Sequence, residues 1–356
     1  MAIVLIAFTL LVQKQIQFGS NNLGFNQENI VIISITDQLR GKTDVLKQYL
    51  NQQPIVQKLS FSRFYPGKDF SSWRAQLKVN GEEKTVTFNN FHADADFFDL
   101  METELVQGRY YSNDLSTDQN KMVVNEAFLK QYNITNPLGA TLYDDRNEII
   151  GVIKDFHFRP VNEPIGSLAI ICHKWASTCL IKLGTNDYNA VHSFLENVKQ
   201  KCAELSPAFP VDIHFMDSAV ENMYQQEKQF RRIFTLFAGC ALFICCLGIL
   251  ALSLFAAQQR IKEIGIRKIV GASVPNILIL LTKDFTKWVL LANIIAWPIA
   301  WYAMNKWLQN FAYRINVTIW PFLLAGLAAL VIALLTVTWQ AIRAATANPV
   351  EALRYE

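Results

Sequence analysis

The run from Ile233 to Ala257 contains no charged side chain. A bilayer core takes about 20 helical residues to cross, so this run is long enough to span it. A core helix of a soluble domain is rarely so long and so uniformly apolar. Inside hydrocarbon every backbone donor and acceptor must be satisfied within the protein, which restricts such a segment to a helix. Two further runs, Phe285–Met304 and Ile319–Ile342, make three full spans. Phe285–Met304 holds Lys287 near one end and Pro298 inside, where proline removes a backbone donor and predicts a kink. A shorter apolar segment, Ala2–Val12, reaches span length only if it continues through Ile16 and Phe18, with Gln13 and Lys14 at the outer interface. No basic residue precedes it, so it lacks the n-region of a secretory signal. It reads as a first helix truncated relative to a longer parent.

Charge orients these spans. Arg260, Lys262, Arg267, Lys268 and Lys283 crowd the loop 258–284, and basic residues are retained on the cytoplasmic side. The link 305–318 is then outside and the tail 343–356 inside. The large polar–apolar segment between the first two helices is outside. Lys228, Arg231 and Arg232 stand against this orientation, although a folded domain ahead of a span can translocate regardless of such charges. The expected organisation is a first membrane helix at 1–18, an extracytoplasmic domain with a stalk at 19–230, and a membrane domain at 231–356. The membrane domain has spans 233–257, 285–304 and 319–342. A net charge of +3, concentrated at span ends, excludes nucleic acid as a partner and leaves membrane lipid.

The outer domain alternates strand and helix patterns. Glu28–Thr36, Ile55–Phe64, Glu148–Phe158 and Val211–Met216 read as strands; Asp44–Asn51, Ala95–Met101, Asn125–Tyr132 and Asn186–Leu205 as helices. Asn80-Gly81 between Trp73–Val79 and Lys84–Phe88 is a hairpin signal. Ser167–Cys172 and Thr178–Leu183 read as a second hairpin, across which Cys172 and Cys179 could form a disulfide in an oxidising compartment. Cys240, Cys245 and Cys246 lie in a span as small apolar filler. Asp217 reads as the N-cap of a stalk helix running without a break into the span that ends at Ala257.

Catalytic and cofactor motifs are scarce. Gly41-Lys42-Thr43 imitates the end of a phosphate loop, but Thr36 stands where the first glycine is needed. The chain has no nucleotide site of its own, no Gly-x-Ser-x-Gly elbow and no His-Glu-x-x-His motif. His173 beside Cys172 lacks a second ligand pair at metal-site spacing. Asp155 and His157, two apart on an expected strand, would share a face; they are the one candidate for a membrane-anchored enzyme, with a hydrogen-bonded pair as the plainer reading.

The cytoplasmic loop reads Arg260-Ile261-Lys262-Glu263-Ile264-Gly265-Ile266-Arg267-Lys268-Ile269-Val270-Gly271-Ala272. On a helix Arg260, Glu263 and Arg267 form one charged stripe. Lys262 and Lys268 add charge, and Ile264 and Ile266 offer apolar contact. Gly271 can end that helix, and Ser273 with Pro275 can start the next. Such a defined corner can dock a soluble partner. In the tail, Asn348-Pro349-Val350-Glu351 combines an N-cap, proline at N1 and an acid at N3, which predicts a short helix.

The segments RIKEIGIRKIVGA (260–272) and RAATANPVEALR (343–354) resemble the permease subunits of MacB/FtsX-type ABC transporters. NLGFNQEN (22–29), Gly108-Arg109, VNEAF (124–128) and GVIKDFHF (151–158) are similar to their periplasmic core domain. The resemblance implies an α+β extracytoplasmic domain, with a porter-like α/β part and a smaller inserted strand-rich part, on four membrane helices. It implies a bacterial inner-membrane, multi-pass protein with its large domain periplasmic. It implies no cofactor in this chain: ATP is bound by a separate ABC ATPase subunit. Arg260, Lys262, Glu263, Ile264, Ile266, Arg267 and Lys268 are the expected contact with that subunit. It also implies pairing with a second permease unit, as a homodimer or as the other half of a tandem permease. The expected function is then the transmembrane subunit of an exporter or mechanotransmission complex. A membrane-anchored binding or sensing protein without a transport cycle is the first alternative, and an enzyme using Asp155 and His157 the second. The transported substrate has no signature in the sequence.

Overall fold

Ile30–Ser34 (β1) is a continuous apolar run, which suits a strand buried on both faces better than an alternating one. The structure, a computed structural model, describes residues 1–21, 23–68, 70, 72–79, 81–142, 147–160, 162–173, 176–259, 266 and 274–346. Two units emerge: Gly19–Gln225, and Met1–Phe18 together with Gln226–Glu356.

In the first unit β1 pairs antiparallel with Thr178–Leu183 (β10) on one side and Ile213–Phe215 (β11) on the other. Val56–Ser62 (β2) adds to the far side of β10. One face of this sheet is covered by Asp37–Arg40 (α2), Thr43–Asn51 (α3) and Tyr188–Leu205 (α6). Leu39, Leu46, Leu50, Phe194 and Val198 from these helices pack on Val31, Ile33, Leu59 and Ile181. Met216–Met223 (α7) packs on β1, burying Met216, Ala219 and Val220.

Between β2 and β10 the chain inserts a strand-rich part. Ser72–Val79 (β3) and Glu82–Ala93 (β4) form the expected hairpin in the register Val79↔Glu82, with Gly81 at φ +84°. Leu105–Gly108 (β5), Met122–Asn125 (β6), Thr141–Leu142 (β7), Asn147–Ile153 (β8) and Leu168–Cys172 (β9) complete it. The pairings β4–β3–β7–β8–β6–β9 return to β4, so six strands close on themselves, and β5 pairs with β8 outside that circuit. Ala75, Leu77, Val86, Phe88, Val124, Ile149 and Ala169 share its core. Glu126–Tyr132 (α5) contributes Phe128, whose ring meets Phe88 edge-on at 5.7 Å. This is the expected mixed α/β domain with an inserted strand-rich part, although the insert is the larger of the two.

The second expected hairpin does not form. β9 lies between β4 and β6, and β10 between β1 and β2. Cys172 is opposite Ala93, Ala93 opposite Ser62, and Ser62 opposite Thr178. Two strands therefore separate Cys172 from Cys179, roughly 14 Å at strand spacing, beyond the reach of a disulfide. Among the described residues neither thiol forms a disulfide.

β2 and β4 share the single register pair Ser62↔Ala93. Asp94 clamps that joint: its carboxylate accepts Ser60 Oγ at 2.7 Å and Phe61 N at 2.8 Å. Burial pushes its pKa up from 3.8 to about 6, against the opposing pull of those two bonds. The folded state thus holds the proton more tightly than the unfolded chain does. The resulting stability is full below about pH 4 and is lost as pH rises through about 6. The thermal midpoint of the protein should fall between pH 5 and pH 7.5. Asp94→Asn should remove this component, since an amide can accept from Phe61 N and donate to Ser60 Oγ. An unchanged pH profile in the variant would assign the dependence to another group.

In the second unit Ala2–Asn21 (α1) is one helix, with residues Ala2–Gly19 apolar and long enough to cross a membrane. Gln225–Gln259 (α8), Val274–Leu308 (α9, with Pro298 inside) and Trp320–Thr346 (α10) contain the other three candidate spans. The stalk expectation is corrected: α7 ends at Met223, Tyr224 takes φ −104° and ψ 22°, and α8 begins at Gln225. Asp217 lies in the first turn of α7, and Phe215 occupies the cap.

Candidate functional site

Arg260, Lys262, Glu263, Ile264, Arg267 and Lys268 lie outside the described residues, as do the tail residues Asn348 to Glu351. Ile266 is helical and 58% exposed. The segment is bounded by the end of α8 at Gln259 and the start of α9 at Val274, with Pro275 in the first turn where its missing N–H costs nothing. The helix expected after Ser273 and the span from Phe285 form one helix, α9.

Asp155 and His157 are not on a strand, because β8 stops at Ile153. Asp155 Oδ1 accepts Ala127 N at 2.8 Å, and Oδ2 is 3.6 Å from Lys130 Nζ. It therefore serves the first turn of α5, beside Asn125, whose Oδ1 accepts Phe128 N at 3.1 Å. Burial raises its pKa. His157 is buried, its backbone N donates to Leu23 O at 2.6 Å, and burial lowers its pKa. Gly24, at φ +80°, comes so close to Asp155 O and Phe156 that a Cβ would sit 3.1 Å from each. The 155–157 segment thus fastens residues 23–25 and starts a helix. The shared strand face that motivated a dyad is not formed. Among the described residues no three His, Cys, Asp or Glu side chains gather as metal ligands. His173 instead lies beside His92, with ring centroids 5.2 Å apart and the rings tilted by 33°.

The membrane helices carry a further candidate site. Gln15 of α1 is fully buried: its Nε2 donates to Tyr313 O at 2.8 Å, and its Oε1 accepts Ile315 N at 3.0 Å. An amide that satisfies two backbone groups at once fixes α1 to the α9–α10 link. Phe8 adds ring contacts to Phe234 at 4.2 Å and Trp307 at 5.4 Å. The C-terminal half of α1, the start of α8 and the α9–α10 link therefore share one end. This is the alternation that the charge pattern requires. α9 and α10 cross where Gly326 faces Asn293 and Trp297; a Cβ there would clash with Asn293 Oδ1.

At the opposite end a cleft of about 510 Å³ opens, lined by Ile3, Leu242, Cys246, Trp288, Ala292 and Ile332 among others. Gln259, the last residue of α8, is on its rim, so it lies at the end that carries the basic loop. α8 is the least covered span, with 6% of its apolar window buried against 39% for α1. A helix so apolar and so bare faces lipid or another protein. Sequence reading missed this cleft and the Gln15 clamp. Gln15 sat in an apolar segment, and that position was the available signal.

Residues 235–349 match the FtsX-like permease C-terminal family. No curated protein matches the chain. Among solved structures, the periplasmic region of MacB from Actinobacillus actinomycetemcomitans is similar at 16% identity and TM-score 0.41, covering 58% of this chain and 97% of that one. The extracellular domain of the noncanonic ABC-type transporter YknZ from Gram-positive bacteria is similar at 12% identity and TM-score 0.38, covering 52% and 100%. A domain of a putative permease protein from Porphyromonas gingivalis gives 15% identity and TM-score 0.36, covering 53% and 90%.

Proposed function

We propose, from the premise that residues 235–349 are an FtsX-like permease domain, that this chain is the transmembrane subunit of an ABC-type export or mechanotransmission complex. It is a multi-pass inner-membrane protein with a large periplasmic domain. A separate ATPase subunit binds and hydrolyses ATP, because the chain has no phosphate-loop motif. That subunit docks on the loop 258–284. Its closure is passed along α8, one unbroken helix of 35 residues, towards the periplasmic domain. The bare surface of α8 receives a second permease unit. The match over 235–349 carries this reading, and the four membrane helices support it.

Charge reversal at Glu263 or Arg267 tests the docking surface. Each variant should lose the ATPase in a pull-down of the full complex. Breaking a desolvated charge pair costs about 2–5 kcal/mol, whereas a rim charge costs far less. Retention of the ATPase and of stimulated hydrolysis by both variants would move the docking site elsewhere.

A further inference from the structure

The periplasmic unit contains a polar cleft that the docking reading does not use. It measures about 460 Å³ and is lined by Gly67, Lys68, Phe70, Phe158, Arg159 and Glu163, with Asn222 and Met223 from the end of α7. The turn that carries Lys68 is pinned from three sides. Lys68 N donates to Tyr65 O at 3.1 Å, Gly67 N donates to Phe158 O at 3.4 Å, and Gly67 abuts the Ala219 carbonyl. Its φ of +100° suits glycine alone. Phe70 and Phe158 meet edge-on at 5.0 Å and form an apolar wall.

Among the described residues Lys68 has no carboxylate partner; its ammonium lies 5.8 Å from the centroids of both Phe64 and Tyr65. Burial, and then the Arg63 charge, lower its pKa, so the charge is held there at a cost. Arg159 is tied to Glu163 at 3.0 Å and to Asn89 Oδ1 at 2.9 Å, and a guanidinium has more donors than those two bonds use. A half-buried ammonium with no counter-ion among the described residues, a held guanidinium and an aromatic wall in one cleft suit an anion with an apolar part.

We infer that this cleft binds an anionic amphiphile, its phosphate or carboxylate head at Lys68 and Arg159 and its apolar portion on Phe70 and Phe158. The inference is independent of the ATPase reading. The test uses the full chain in a non-ionic detergent. The probe is dihexanoyl-phosphatidylglycerol, compared with dihexanoyl-phosphatidylcholine and with inorganic phosphate. The phosphatidylglycerol should bind about tenfold more tightly than either comparison compound, the worth of one charge-assisted bond. Lys68→Met should weaken it about tenfold, while Lys68→Arg keeps it within about threefold. Glu163→Gln frees Arg159 and should tighten binding, a gain that misfolding cannot produce. Equal binding of phosphatidylcholine, or an unchanged affinity in both Lys68→Met and Glu163→Gln, overturns the proposal. Equal binding of inorganic phosphate overturns it in favour of a plain anion site.

Discussion

Alanine at Gly108 is expected to lower the thermal midpoint of the periplasmic unit by about 6–12 °C, for a loss of about 3 kcal/mol in a domain of this size. Gly108 has φ +79°, and an added Cβ would run into the Ile150 carbonyl oxygen, with Leu138 Cδ2 at 2.9 Å and Gly151 Cα at 3.0 Å. The left-handed conformation alone costs an L-residue about 1–2 kcal/mol. The clash with backbone adds to it, because no rotamer can move a carbonyl aside. Gly151 is the register partner of Gly108 between β5 and β8, and its own Cβ would strike Arg109 O. Gly151→Ala should therefore be comparably damaging at a position without positive φ. Thermal unfolding of the full chain, read by protease protection of residues 19–225, gives the measurement. A midpoint unchanged in both variants would mean that the two strands can part without cost.

On the proposed function, proline at Phe230 is expected to abolish transport while ATP hydrolysis and complex assembly persist. Phe230 lies in the second turn of α8 and is 51% exposed, so its side chain supplies little packing. Proline there removes one backbone bond and crowds the preceding turn, at a cost of about 3 kcal/mol or more. The helix is roughly 52 Å long at its usual rise, and a bend near one end changes where the other end delivers its motion. Phe230→Ala, which keeps the backbone bond, should behave as wild type. Transport by the proline variant at the wild-type rate would argue against mechanical coupling through α8. The turn at Tyr224 already separates α8 from α7, so the rigid piece under test is α8 itself.

Local signals carried much of the fold. Asn125 caps α5, accepting from Phe128 N as its position before an amphipathic run suggests. The β3–β4 hairpin follows from its turn residues, and the apolar run of β1 from burial on both faces. Non-local pairing was not legible. β9 and β10 look like a hairpin because they are adjacent in sequence, yet each completes a different sheet path. β8 was read too long because Phe156 and Phe158 continue the apolar alternation. Both rings are buried, but in contact with Phe25 and Phe70 after the chain has left the sheet. Tyr224 interrupts the stalk without glycine or proline to announce it. The charged stripe expected at Arg260, Glu263 and Arg267 lies outside the described residues.

The closed circuit of strands also sets an order of events during biogenesis. Its last joint pairs β4 with β9 in parallel, Asn89 with Leu168, roughly eighty residues apart. Until Leu168 has crossed the membrane, β4 and β6 each present a row of unpaired backbone groups to the periplasm. Closure must therefore wait for translocation, and the entropy of that long loop makes it slow. The half-made domain is a substrate for proteases and holdases during that interval. Substitutions that loosen β9 would then act first on yield, before any effect on the activity of the molecules that mature.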